Sequence, residues 1–258
     1  MKKFITIFFC IQIVFMCVSC ISLSESSVNS ALVTAKLRME FDEYAEAIVA
    51  LSRAIGTDPK NEEALKLRGE CYCRKNQLEL ALEDFNALTD LYKSSEYLLI
   101  KADVEYELDL YDKVIEDCLE AERISHNNLE KINIWYLLAN SYFKNKKFED
   151  ADKYYTCILD IAKSPDVYFE RATNFVFMKK YGDAKKDLTE MTVLLQKYPN
   201  KIHEYLNDEY YYLLGYCELA LRNYDDALDA FNKIINKQEF DNIDSYVSAC
   251  LDARKNLK

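Results

Sequence analysis

The stretch from Ile132 to Ser164, INIWYLLANSYFKNKKFEDADKYYTCILDIAKS, decides how the whole chain is read. A small residue, Ala139, stands at its eighth position. Phe148 follows at the seventeenth, Ala151 at the twentieth and Tyr155 at the twenty-fourth. Working outward, the same spacing returns with a period near 34, from starts at Val28, Glu62, Ser95, Ile132, Pro165 and Asp208. The eighth position then reads Ala35, Gly69, Ala102, Ala139, Ala172 and Gly215, all small. The seventeenth reads Tyr44, Leu78, Tyr111, Phe148, Tyr181 and Tyr224. The twentieth reads Ala47, Ala81, Val114, Ala151, Ala184 and Ala227, and the twenty-fourth Leu51, Phe85, Cys118, Tyr155, Leu188 and Phe231. Each unit is expected to be a hairpin of helices A and B. They cross closely at the eighth and twentieth positions, where a larger side chain would force them apart.

Four columns in register over about 210 residues resemble the tetratricopeptide-repeat family, whose period is about 34 residues. The resemblance implies an all-α fold, a right-handed superhelical solenoid of about six helical hairpins plus a C-terminal capping helix. Asp58-Pro59 closes the first unit as the family pattern expects, whereas Glu105 stands where that pattern has tyrosine. The connection through Ser125-His126-Asn127-Asn128 is a few residues long. The one from Gln196 to Asn207 is longer, with Pro199 ending a helix. It should lengthen helix B or add a turn, and bend the array locally. Asn242 to Leu257 reads as one more amphipathic helix with Asn242 as N-cap, and would cover the last repeat's apolar side.

Composition agrees with this reading. Four glycines and three prolines are too few for a β-rich fold of many tight turns, and 50% hydrophobic residues allow a large core. The formal net charge is −11, and loss of Lys2 and Lys3 with a leader would take it to −13. Such a surface repels phosphate backbones, so no nucleic-acid partner is expected.

The N-terminus has export grammar. Lys2 and Lys3 precede an apolar run from Phe4 to Val18, then Ser19-Cys20 and a serine-rich tract. It resembles the lipobox of bacterial lipoproteins, with Cys20 as the acylated residue, although Cys17 stands where Leu is usual. The alternatives are cleavage without lipid and an uncleaved anchor, since Phe4 to Leu23 has the ~20 residues of a spanning helix. The expected organisation is therefore a signal peptide over 1–19 and a lipid-anchored tether over 20–27. A solenoid over 28–240 and a capping helix over 241–258 complete it.

Nothing in the sequence assembles catalysis, a metal site or a cofactor site. His126 and His203 fall in connections, and no HExxH spacing, phosphate loop or nucleophile elbow occurs. The carboxylates are expected on wet outer faces of helices. Beyond the leader, Cys71, Cys73, Cys118, Cys157, Cys217 and Cys250 are expected to be small buried hydrophobes and not disulfide partners.

Function is then expected in a groove. In the family the A helices line the concave surface, through positions 2, 5, 9, 12 and 13. Those positions supply Tyr106, Tyr136, Asn140, Phe143, Lys144, Phe169, Phe177, Tyr212 and Tyr216 as candidate partner-binding residues. The first two units are more polar there, with Lys36, Glu40, Lys66, Glu70 and Arg74. The Lys/Asn clamp of chaperone-binding members is not reproduced, because Leu32 stands at its first Lys. A row of basic A–B turns, including Lys146-Lys147, Lys179-Lys180 and Arg222, suits cations placed at helix C-termini. The expected role is a membrane-tethered scaffold or adaptor of the bacterial envelope, facing periplasm or cell surface, that takes a peptide or protein partner. The alternative is an accessory lipoprotein of a solute transporter holding an apolar small ligand.

Overall fold

A computed structural model describes residues 25–197 and 205–256. The expected leader, Cys20, most of the tether, and residues 198–204 of the long connection lie outside them. Every regular element among the described residues is helical. The chain divides after Ser125 into two compact units.

The first unit holds α1 (25–40), α2 (Tyr44–Thr57), α3 (Glu62–Arg74), α4 (Leu78–Leu91), α5 (Ser95–Glu107) and α6 (Tyr111–Ile124). The second holds α7 (Asn128–Lys144), α8 (Phe148–Ile161), α9 (Pro165–Phe177), α10 (Tyr181–Leu195), α11 (Asp208–Ala220), α12 (Tyr224–Asn232), a 3₁₀ turn (Lys237–Glu239) and α13 (Ile243–Asn256). Within each unit consecutive helices pack on one another, and α13 lies against α11 and α12. This is an all-α tetratricopeptide-type solenoid of paired helices with a trailing helix.

Local chemistry sets the helix starts. Asn61 and Asn207 cap α3 and α11, each accepting from the backbone N–H three residues on at 3.0 Å, and Pro165 opens α9 without losing a bond. Helix α7 begins at Asn128, four residues before the repeat start at Ile132, because Asn127 supplies the cap. Asn242 precedes α13 with φ 68°, and its carbonyl accepts from Tyr246 N–H at 2.9 Å.

Every A helix ends the same way. Asp42, Asn76, Asp109, Lys146, Lys179 and Arg222, the fifteenth residue of each unit, all have φ between 55° and 65°. In each turn this residue donates to the carbonyl three back, and the next residue to the carbonyl five back, as in Gln77 N–H to Tyr72 O at 2.9 Å. That is a Schellman closure, usually built on glycine. None of the chain's glycines has positive φ. A left-handed side-chain-bearing residue costs about 1–2 kcal/mol, so hydrogen bonds and hairpin packing hold these turns.

The core is the set of A–B crossings. Ala35, Ala102, Ala139 and Ala172 are fully buried, as are Ala47, Ala81, Val114, Ala151, Ala184 and Ala227 facing them along the B helices. The ring or chain at the twenty-fourth position fills the crossing, with Phe85 and Phe231 at no more than 1% exposure. Where phenylalanine stands there the eighth residue is glycine. A Cβ on Gly69 would lie 2.5 Å from Phe85, and one on Gly215 would lie 2.6 Å from Phe231. The six cysteines are not in disulfides. Cys71, Cys118, Cys217 and Cys250 are buried and Cys73 and Cys157 half-buried. Burial pushes the Cys71 thiol up to about 11 and Cys217 to about 12.

The expectation that carboxylates sit on wet faces fails at four places. Asp84, Glu105, Asp187 and Glu218 are buried. At three of them the cause is a cation at the seventh position of units two, three and five, whereas Glu218 is held by Lys185 of the preceding B helix at 2.8 Å. Arg68 grips Asp84 through two hydrogen bonds of 2.8 and 2.6 Å, and Arg171 grips Asp187 at 2.7 and 2.8 Å. Each guanidinium also donates to a hydroxyl on the preceding B helix, Ser52 at 3.1 Å and Thr156 at 2.9 Å. Lys101 meets Asp117 at 2.9 Å in the same place. Such pairs tie A, B and the preceding B helix together. Breaking one leaves a buried charge, which costs about 3–5 kcal/mol.

Gly56 and Gly182, also helical, have nothing within 4 Å of a built Cβ. Alanine at either should stabilise by up to about 1 kcal/mol through helix propensity. Alanine at Gly69 should instead destabilise by about 1–2 kcal/mol, because overpacking the buried Phe85 ring outweighs that gain. Urea unfolding of Gly56→Ala, Gly182→Ala and Gly69→Ala checks the opposite signs.

Candidate functional site

The second unit gathers three groups of aromatic rings about its A helices. Phe143 from α7, Phe148 from α8 and Phe177 from α9 form a triangle, with centroids 5.2 to 5.7 Å apart. Phe177 is 58% exposed at its rim, so the cluster presents an apolar face to solvent. Two of these rings were candidates from sequence. Phe148, read as a corner plug, joins them because the hairpin turn folds the seventeenth position back beside the twelfth.

The second group lines a cavity of about 300 Å³, where Tyr136 and Phe169 meet Asp166, Glu170, Tyr205 and Glu209. The Tyr205 hydroxyl donates to Asp166 Oδ2 at 3.2 Å. Burial holds the Glu170 carboxyl above its usual range, nearby Lys144 pulls it back, and Asp166 and Glu209 push it up again. Lys144 itself is exposed.

The third group is covered. Tyr212 stacks on Phe240 at 4.8 Å, and Tyr216 packs edge-on to Tyr246 of α13 at 5.6 Å and to Tyr181 at 5.9 Å. Both are half-buried beneath the trailing segment. Asn140 is engaged inside its own hairpin, accepting from the Tyr155 hydroxyl at 2.6 Å. In the first unit Tyr106 is half-buried and lies edge-on to Tyr111 at 5.3 Å. On that unit's A helices two of the charged residues pair with neighbours, Lys36 with Glu63 at 2.5 Å and Lys66 with Glu96 at 2.6 Å. Leu32, where the clamp lysine would stand, is buried. His126 is exposed, and His203 lies outside the described residues. No group of three metal-ligating side chains occurs among the described residues, nor any helix long and apolar enough to cross a membrane.

Tetratricopeptide-repeat family models match residues 38–104, 132–164 and 169–242. The chain is a tetratricopeptide-repeat protein. It is similar to the DnaJ homolog subfamily C member 7 homolog of Dictyostelium discoideum, with 25% identity over 219 residues, 82% of this chain and 34% of that protein. It is also similar to DnaJ homolog subfamily C member 3 of Gallus gallus, with 24% identity over 200 residues, 72% and 40% of the two chains. The repeat protein thus spans well under half the length of these curated relatives. Among solved structures, Pseudomonas aeruginosa pilF superposes with a TM-score of 0.62 at 16% identity, covering 84% of this chain and 93% of that one. The MamA protein gives 0.62 at 18% identity, covering 69% and 94%. At these identities the likeness is one of fold.

A tetratricopeptide-repeat array is a scaffold for protein–protein interaction and not a catalytic fold, so its unusual carboxylates need a structural account. Glutamate occupies the eleventh position in two units. Glu218 is satisfied, by Lys185 Nζ at 2.8 Å and Asn223 Nδ2 at 2.7 Å. Glu105 is 1% exposed, its Oε2 has no hydrogen-bond partner among the described residues, and it competes with Asp117 for Lys101, which is 3.8 Å away. Burial and the neighbouring Asp117 push its carboxyl up to about 7.

The folded state therefore holds this proton where the unfolded chain has released it. Stability from this group falls as pH rises from the ordinary carboxylate range through about 7. Glu105→Gln should raise stability by about 1–2 kcal/mol at pH 8 and change it little at pH 5. Paired denaturation curves of variant and parent at the two pH values check this.

Proposed function

We propose that this protein is a membrane-tethered adaptor of the bacterial envelope that grips a peptide segment of a partner protein on the A-helix aromatics of its second unit. The observation that carries the reading is the Phe143–Phe148–Phe177 triangle. Three rings packed mutually at under 6 Å, with Phe177 more than half exposed, form a rigid apolar anchor site that water solvates poorly. Exposed aromatics that lose little side-chain freedom on binding are the usual hot spots of protein recognition. The Tyr136–Phe169 cavity adds further aromatic surface on α7 and α9. Tyr212, Tyr216 and Asn140 then act as supports for the helices that carry the groove. The tether rests on the N-terminal sequence, where Lys2-Lys3, the apolar run and Ser19-Cys20 supply what lipoprotein export requires.

Two measurements test the two halves of this reading. On an array of extended peptides, parent protein should give saturable spots that weaken at least tenfold in Phe143→Ala/Phe177→Ala, with helical circular dichroism unchanged. Equal binding by the double variant would contradict the groove. In a bacterial host that acylates lipoproteins, labelled palmitate should enter the parent and be lost in Cys20→Ala. Label retained in the variant, or never incorporated, would contradict the lipid tether.

A further inference from the structure

The cavity in the second unit has a chemical bias that the apolar triangle lacks. Its walls are aromatic, with Tyr136 from α7, Phe169 from α9 and Tyr205 from the segment ahead of α11. Every charged group lining it among the described residues is a carboxylate: Asp166 and Glu170 on α9, and Glu209 on α11. Asp166 is oriented by the Tyr205 hydroxyl. Glu170 has neither a hydrogen bond nor an ion pair within 4 Å among the described residues, and its one opposing influence is the exposed Lys144. A partly desolvated carboxylate that shares an aromatic-lined cavity with two others is electrostatically unfinished.

The geometry points to a receptor for one organic cation, an alkylammonium or guanidinium group, presented as a lysine or arginine side chain of the bound peptide. The inference deepens the peptide-binding reading and rests on it. Ring faces carry a negative quadrupole and attract cations, most strongly where water is displaced. Carboxylates at the same site supply charge-assisted hydrogen bonds. A volume of about 300 Å³ lies at the small end of ligand sites, which suits a single side chain better than a folded element. Aromatic walls favour a large, weakly hydrated cation over a metal ion, which would want a full shell of oxygen donors.

Calorimetric titration of the full chain with butylammonium, and with butanol as its uncharged counterpart, tests the site. Butylammonium should saturate one site per chain and butanol none. Glu170→Gln should weaken the ammonium at least tenfold and Phe169→Leu at least threefold, both with unchanged melting temperature. A lysine peptide drawn from the array should compete with butylammonium and lose at least tenfold on lysine acetylation, which marks a partner chain as the source of the cation. A peptide indifferent to acetylation, beside saturable butylammonium, would support the cation site and mark a free amine as the source. No saturable ammonium binding, or full binding by Glu170→Gln, would overturn the inference. Peptide binding that is lost in Phe143→Ala/Phe177→Ala, beside no saturable ammonium binding, would overturn the inference while leaving the apolar groove standing.

Discussion

The close approach of two helices at one small residue is the constraint on which each hairpin depends. At the eighth position nothing larger than a methyl group stands on helix A. At the twentieth, helix B offers alanine or valine. The two backbones come near enough for the twenty-fourth side chain to fill the crossing. Glycine accompanies phenylalanine in units two and six, and alanine accompanies leucine, cysteine or tyrosine elsewhere. The Schellman turns follow from the same geometry. Once A and B must meet at that distance, the fifteenth residue is driven into the left-handed region whatever its side chain. Asp, Asn, Lys and Arg all accept it there because the hairpin over-determines them.

The same rigidity creates the candidate binding surface. A and B helices held in fixed register bring Phe143, Phe148 and Phe177 to van der Waals distance, and the A helices set Tyr136 and Phe169 around one cavity. None of these rings is needed to close a crossing, so their partial exposure is surplus to stability. That separation lets the scaffold stay constant while the exposed A-helix positions diverge in chemistry, apolar at the triangle and acidic at the cavity.

Much of the fold was legible because the eighth, twentieth and twenty-fourth columns are steric requirements, written in residue size. The buried ion pairs were not legible. Arg68 and Asp84 stand sixteen residues apart on different helices, and each alone looks like an ordinary surface residue. Only the hairpin shows that they meet away from water. Glu105 was visible as a departure from the family pattern, but its elevated proton affinity depends on Asp117 and on having a lysine where units two and five have arginine. The aromatic clustering was legible in part. Spacing placed Phe143, Phe169 and Phe177 on one helix face, but it could not reveal that Phe240 and Tyr246 cover Tyr212 and Tyr216, or that Tyr155 holds Asn140. Those contacts come from segments whose docking the repeat pattern does not encode.

A double-mutant cycle at Gly215 and Phe231 tests the central constraint most directly, because it asks whether size at one position sets the tolerance at the other. Gly215→Ala alone should destabilise, and Phe231→Leu alone should destabilise by leaving space. The account predicts that together they recover stability, with a coupling energy of about 1–3 kcal/mol. Strictly additive effects, with no coupling, would contradict the claim that the crossing is clasped by matched residues.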